Sequence, residues 1–244
     1  MRKDSVQWWI PFLGVGAVLA LSPVEAQEAR GLRWYARLSA DALLLQETSL
    51  EKLRFPGTGP VSVVGDDIEF EPGFGLGIGG GCWLTPWLAV EVETGYGVNN
   101  IDTLGGHDVA DAMVAQMPWL VNLVFQYDGW KKIKPFLGAG AGGLTTILSV
   151  DDQTWIDAEG DDAWIDGSQD DTVLAFQGFA GVTYQFTDNV SVGLRYRFLG
   201  ASGPSWDVEV GSWDAENHLL LTKGDIACDD LQSHSISAQF TYRF

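Results

Sequence analysis

The chain is 244 residues long and carries 14 Lys+Arg against 33 Asp+Glu, a formal net charge of −19 with a sequence pI near 4.2. That length fits one domain plus a targeting segment, and that charge excludes nucleic acid as a partner, because like charges repel. Beyond the first residues no stretch is apolar enough for a transmembrane helix, so any membrane span must be built from strands.

Met1-Arg2-Lys3 is a basic start, Trp8 to Ser22 is apolar, and Val24-Glu25-Ala26 places small residues where a peptidase needs them. Residues 1–26 therefore read as a secretory signal cleaved after Ala26, an expectation that leaves 27–244 as the mature chain. The alternative, a single membrane anchor, must use an apolar run of about 15 residues bounded or broken by Pro11 and Pro23, short of the roughly 20 that a spanning helix needs.

Strict alternation follows. In 33–45, Trp34, Ala36, Leu38, Ala40, Ala42 and Leu44 alternate with Tyr35, Arg37, Ser39 and Asp41. In 70–84, Phe74, Leu76 and Ile78 alternate with Gly73, Gly75, Gly77, Gly79 and Gly81, as if one face had to make room for large side chains from elsewhere. After Thr85-Pro86, Leu88, Val90, Val92 and Tyr96 alternate with Ala89, Glu91, Glu93 and Gly95. Trp119, Val121, Leu123, Phe125 and Tyr127 alternate with Leu120, Asn122, Val124 and Gln126, and a Gly/Ala-rich strand over 134–147 comes next.

Residues 172–199 form the clearest hairpin, two long apolar-aromatic faces around a Thr187-Asp188-Asn189 turn. If Phe186 pairs with Val190, Val182 meets Leu194 and Gly181 lies opposite Arg195. A last strand, 233–244, ends the chain with Ile236, Ala238, Phe240, Tyr242 and Phe244 on one face.

Eight strands result, with long connections at 46–69, 99–115, 148–171 and 200–232 and short turns between. The fold class expected is an all-β, eight-stranded antiparallel up-and-down transmembrane barrel, apolar side out, polar side in. A soluble lipocalin-like barrel would put its apolar faces inward. Here that would leave Arg, Glu, Gln and Asn outside along every strand.

The stretches Tyr184-Gln185-Phe186-Thr187-Asp188-Asn189, Val190-Ser191-Val192-Gly193-Leu194-Arg195-Tyr196-Arg197-Phe198 and Pro135-Phe136-Leu137-Gly138-Ala139-Gly140-Ala141-Gly142, with the ending Tyr242-Arg243-Phe244, carry a resemblance. The chain resembles the small eight-stranded outer-membrane barrels of the OmpA transmembrane-domain, OmpX and opacity-protein type. The resemblance implies a location in the cell outer membrane, lipid as surroundings, and a terminal Phe244 read by the barrel-assembly machinery. It specifies architecture more than function, and a peptidoglycan-binding domain of the OmpA kind is not expected.

Inside such a barrel Glu91 and Glu93 are expected across from Arg195 and Arg197, with Arg37, Asp41 and Arg243 joining them. Two uses of these charges stand side by side, a gated ion path and a salt-bridge plug. An eight-stranded interior is just wide enough for side chains to fill it, which favours the plug. Of the acids, five lie in 46–69, three in 99–115, nine in 148–171 and seven in 200–232, so the negative charge belongs to the long connections. Their carboxylates invite divalent cations or surface ligands, yet no spacing matches an EF-hand loop, and no metal site or cofactor is expected. Trp155, Trp164, Trp206 and Trp213 would serve there as contact anchors or pack the connections together.

No catalytic set assembles. His107 and His218 fall in connections, while in Ser233-His234-Ser235 alternation sends His234 out and Ser235 in. The expectation is a non-catalytic, monomeric barrel with a structural, adhesive or binding role. The alternatives are a lipid A-modifying outer-membrane enzyme and a narrow ion-conducting pore.

Overall fold

A computed structural model describes residues 32–54, 67–104, 107–108, 112–156, 162–213 and 219–244. Residues 1–26, where the sequence leads one to expect a signal segment, lie outside them. The described chain is all-β. Its strands are β1 (Arg33–Leu45), β2 (Thr48–Arg54), β3 (Asp67–Phe70), β4 (Gly73–Trp83), β5 (Leu88–Leu104), β6 (His107–Asp108), β7 (Ala112–Gln126), β8 (Ile133–Ile156), β9 (Asp162–Gln185), β10 (Val190–Ala201), β11 (Ser205–Trp213), β12 (Leu219–Cys228) and β13 (Leu231–Arg243).

Eight of them close a ring, each antiparallel to its neighbours, in the order β1, β4, β5, β7, β8, β9, β10, β13 and back to β1. Closure leaves none of these eight strands with an open edge, which is what allows a sheet to stand in lipid. The hairpin of β9 and β10 has the register its alternation dictates: Val182 opposite Leu194, Gly181 opposite Arg195, Gly178 opposite Phe198. Phe186 donates its N–H to the Val190 carbonyl at 3.0 Å, so the turn itself sets that register.

The apolar faces point outward. Leu38, Phe74, Leu76, Val92, Val121 and Leu194 are all exposed side chains. Rings gather where the short turns lie: Trp87 stacks on Phe125, Tyr127 meets Trp130 edge-on, and Lys132 sits over the Tyr184 ring. Such a girdle marks a membrane interface.

The long connections differ from the sequence expectation. Much of 46–69, 99–115, 148–171 and 200–232 is strand, not loop. β8 and β9 are 24 residues each, where roughly 9–11 cross a bilayer. β2 continues the line of β1, β3 that of β4, β11 that of β10 and β12 that of β13, because each extension pairs with the continuation of the same neighbour. Breaks fall at Gln46–Glu47, Glu71–Pro72, Ser202–Pro204 and Asp229–Asp230, and two of them contain a proline, which has no N–H for a ladder. The reason alternation missed these extensions is physical. Outside the membrane neither face need be apolar, and backbone pairing propagates from a formed ladder whatever the side chains.

Candidate functional site

The inward side chains of β1 lie over β4, whose own inward positions are glycines. A Cβ at Gly81 would stand 2.5 Å from Tyr35 Cζ, and one at Gly79 would stand 3.4 Å from Arg37 Nη2. Arg37 pairs with Gly79, and Gly79 pairs with Glu93 on β5. The bare backbone of β4 thus lets Arg37 reach across one whole strand to the glutamates of the next.

Glu93 is the centre. It accepts from Arg195 Nη2 at 2.6 Å and Nη1 at 3.0 Å, from Arg37 Nη2 at 3.1 Å and from Arg197 Nη1 at 3.3 Å. Asn122 Nδ2 and Gln177 Nε2 add bonds at 2.9 and 3.2 Å. Glu91 accepts from Arg37 Nη2 at 2.6 Å, from the Tyr35 hydroxyl at 2.8 Å and from Asn122 Nδ2 at 3.2 Å. Arg197 Nε donates to Ser235 Oγ at 3.0 Å, and the Arg195 guanidinium lies 5.1 Å from the Phe179 ring centre. Glu91 and Arg195 are each 1 % exposed. Charges this deep persist only when paired and hydrogen-bonded, and these are both.

Apolar layers close the network on both sides. Towards the short turns lie Tyr35, Trp83, Ala89, Val124, Phe136 and Phe179, with Tyr35 and Trp83 rings 5.8 Å apart. Towards the long connections lie Leu120, Leu144, Ala175, Leu199, Ala201 and Leu231. A polar lumen is therefore a buried core with a charged middle. Its chemistry is cohesion across the barrel.

Of the seven charged residues read from the sequence, the structure brings Arg37, Glu91, Glu93, Arg195 and Arg197 into one hydrogen-bonded set. Asp41 stands apart, opposite Gly75 and hence level with Gly97, and its Oδ2 accepts from Ser39 Oγ at 3.1 Å. Arg243 stands apart at the other end, opposite Tyr35, where it donates to Gln126 Oε1 at 3.1 Å and covers the Trp83 ring. Tyr35, Asn122, Gln177 and Ser235 belong to the network and were not singled out. Their inward parity was the available signal.

Phe244 is exposed, donates its N–H to the Trp34 carbonyl at 3.0 Å and meets the Tyr242 ring edge-on. His234 faces outward between Tyr196 and Phe198, its Nδ1 2.6 Å from the Tyr196 hydroxyl and its Nε2 2.8 Å from Gln46 Nε2. Ser233 and Ser235 face inward and are buried, so neither meets the imidazole. Trp206, expected as a surface anchor or a packing residue, packs inside the extended barrel at 3 % exposure. The side chains of His107, Trp155, Trp164 and Trp213, like His218, lie outside the described residues.

Cys82 and Cys228 are both buried and unpaired, one near the short-turn end and one beyond the opposite rim. Burial, with Asp229 beside it, pushes the Cys228 thiol up to about 12.

Residues 14–244 match the family model described as outer membrane protein beta-barrel domain. Two solved structures share the fold. Neisserial surface protein A aligns with a TM-score of 0.50 at 15% identity, covering 86% of this chain and 97% of that one. The outer membrane protein OprG from Pseudomonas aeruginosa aligns with a TM-score of 0.51 at 14% identity, covering 87% and 95%. None of the curated proteins compared with the chain matches it.

Proposed function

Because the chain belongs to the outer membrane protein beta-barrel family and resides in the outer membrane, we propose that it is a non-catalytic, monomeric barrel with a plugged lumen. In this reading its work is done outside the membrane, by the acidic extension. The observation that carries the reading is the five-residue charge network of Arg37, Glu91, Glu93, Arg195 and Arg197, held between two apolar layers. A conducting path needs polar, mobile groups end to end. This interior has an apolar cluster above and another below its charges, and the charges themselves are tied to one another.

The role is structural or adhesive: the barrel is a stiff post for a negatively charged, β-structured tip. Such a tip suits cationic or cation-bridged surface ligands, divalent cations among them. Cleavage after Ala26 and recognition of Phe244 by the assembly machinery complete the proposed route to the membrane. The lipid A-modifying alternative is weakened by the separation of His234 from both flanking serines, since a nucleophile and its base need hydrogen-bond reach.

The deciding experiment is conductance of the refolded protein in planar bilayers, with and without Ca²⁺. A silent barrel in both conditions is the expected result. Lasting stepwise conductance would replace the plug with a pore.

A further inference from the structure

One rung of the barrel wall lacks its donor. Gln126 donates its N–H to the Trp87 carbonyl at 2.9 Å at the start of the β5–β7 ladder. Antiparallel rungs fall on every second pair. Counting from Trp87 and Gln126, they fall on Ala89–Val124, Glu91–Asn122, Glu93–Leu120 and then Gly95–Pro118. Pro118 has no N–H to give the Gly95 carbonyl. The register is continuous up to Thr94↔Trp119 and resumes only at Gly97↔Gln116. An unmet backbone carbonyl in a membrane wall is costly.

A cavity of about 20 Å³ lies against this rung on the lumen side. Gly75, Gly77, Gly95 and Gly97 supply its space, and Asp41, Glu93, Gln116 and Arg197 are among its polar lining. Asp41 Oδ1 and Gln116 Nε2 have no protein hydrogen-bond partner, although each residue is only 5 % exposed. The first needs a donor and the second an acceptor. The Gly95 carbonyl needs a further donor.

We propose that this cavity is a binding site for one or two water molecules, which donate to Asp41 Oδ1 and the Gly95 carbonyl and accept from Gln116 Nε2. The size fits, since a water needs roughly 10–15 Å³ and two to four polar partners. The charge pattern selects the ligand class. Glu93, also in the lining, is already met by Arg37, Arg195 and Arg197, so Arg197 disfavours a metal cation and Asp41 disfavours an anion, which leaves a small neutral molecule that both donates and accepts. The site also gives Asp41 its role. Arg37, Arg195 and Arg197 face two glutamates in the network, and a hydrated Asp41 carboxylate, across the same cavity from Arg197, is a third negative charge one level above them. The wall is thus closed at Pro118 by solvent held from within.

The test is water-to-protein cross-relaxation in NMR of the isotope-labelled, refolded protein. Cross-peaks from long-lived water to the Gln116 side-chain amide and the Gly95 N–H are expected. They should be lost in Gly77→Ala, whose new methyl would stand 3.7 Å from Asp41 Oδ2 with only the rotatable Ser39 hydroxyl closer than 3 Å. Asp41→Leu, which removes the carboxylate, provides a second variant with the same expected loss. A folded wild-type barrel with no such cross-peaks overturns the site, as do cross-peaks that persist unchanged in whichever of the two variants folds.

Discussion

Glu93 on β5 and Arg195 on β10 stand half the barrel apart in strand order, yet are joined by two hydrogen bonds at 2.6 and 3.0 Å. This pair spans the lumen as a tie-bar. Replacing Glu93 with Gln leaves Arg37, Arg195 and Arg197 around a neutral amide. Breaking one side of a buried ion pair costs about 3–5 kcal/mol, so urea unfolding of the refolded barrel should shift down by that order. Adding Arg195→Met to the same chain should recover part of the loss, and removal of Glu91 and Glu93 together should lower the gel-shift melting temperature. An unchanged midpoint in Glu93→Gln would show that the tie-bar contributes nothing.

Two glycine substitutions should separate the faces of the wall. Gly81→Ala drives a methyl to 2.5 Å from Tyr35 Cζ, and that ring is fixed by its bond to Glu91 and by Trp83. Overpacking of this kind costs about 1–3 kcal/mol. Gly178 lies opposite Phe198 with open space where a Cβ would go. Gly178→Ala should be neutral or stabilise by about 0.4–1 kcal/mol, through loss of unfolded-chain freedom. Equal destabilisation of the two variants in parallel melts would contradict the packing described for β1 over β4.

His234 is held by ring contacts with Tyr196 and Phe198 and by polar contacts with Tyr196 and Gln46. His234→Ala should lower stability by about 1 kcal/mol, the usual scale for an aromatic contact with its hydrogen bond. Mass spectrometry of lipid A from cells expressing wild type and variant should give the same acylation pattern. A difference between them would reinstate the enzyme reading.

Cys228 should be unreactive in the folded protein. The thiolate is the reactive form, and a thiol raised to about 12 by burial and then by Asp229 leaves almost none of it near neutral pH. Raising the pH deprotonates the thiol only as it nears that value, so maleimide labelling should stay slow through mildly alkaline buffers and become fast for both cysteines after unfolding. Rapid, stoichiometric labelling of Cys228 in the native barrel at neutral pH would overturn its burial.

The sequence by itself determined which face of each strand is which. Period-two alternation assigned Arg37, Glu91, Glu93, Arg195 and Arg197 to the lumen, and the Asp188–Asn189 turn set Gly181 against Arg195, because parity and turn length are local properties of the chain. Tertiary structure alone decided height around the ring. Arg37 meets Glu93 because both pair with Gly79, whereas Asp41 pairs with Gly75 and lies above the network, and Arg243 pairs with Tyr35 and lies below it. The strands beyond the rim were likewise decided by their neighbours, since a ladder that has begun continues through polar residues that carry no periodic signal of their own. Stagger between strands is a relation between distant residues, and no single strand's periodicity contains it.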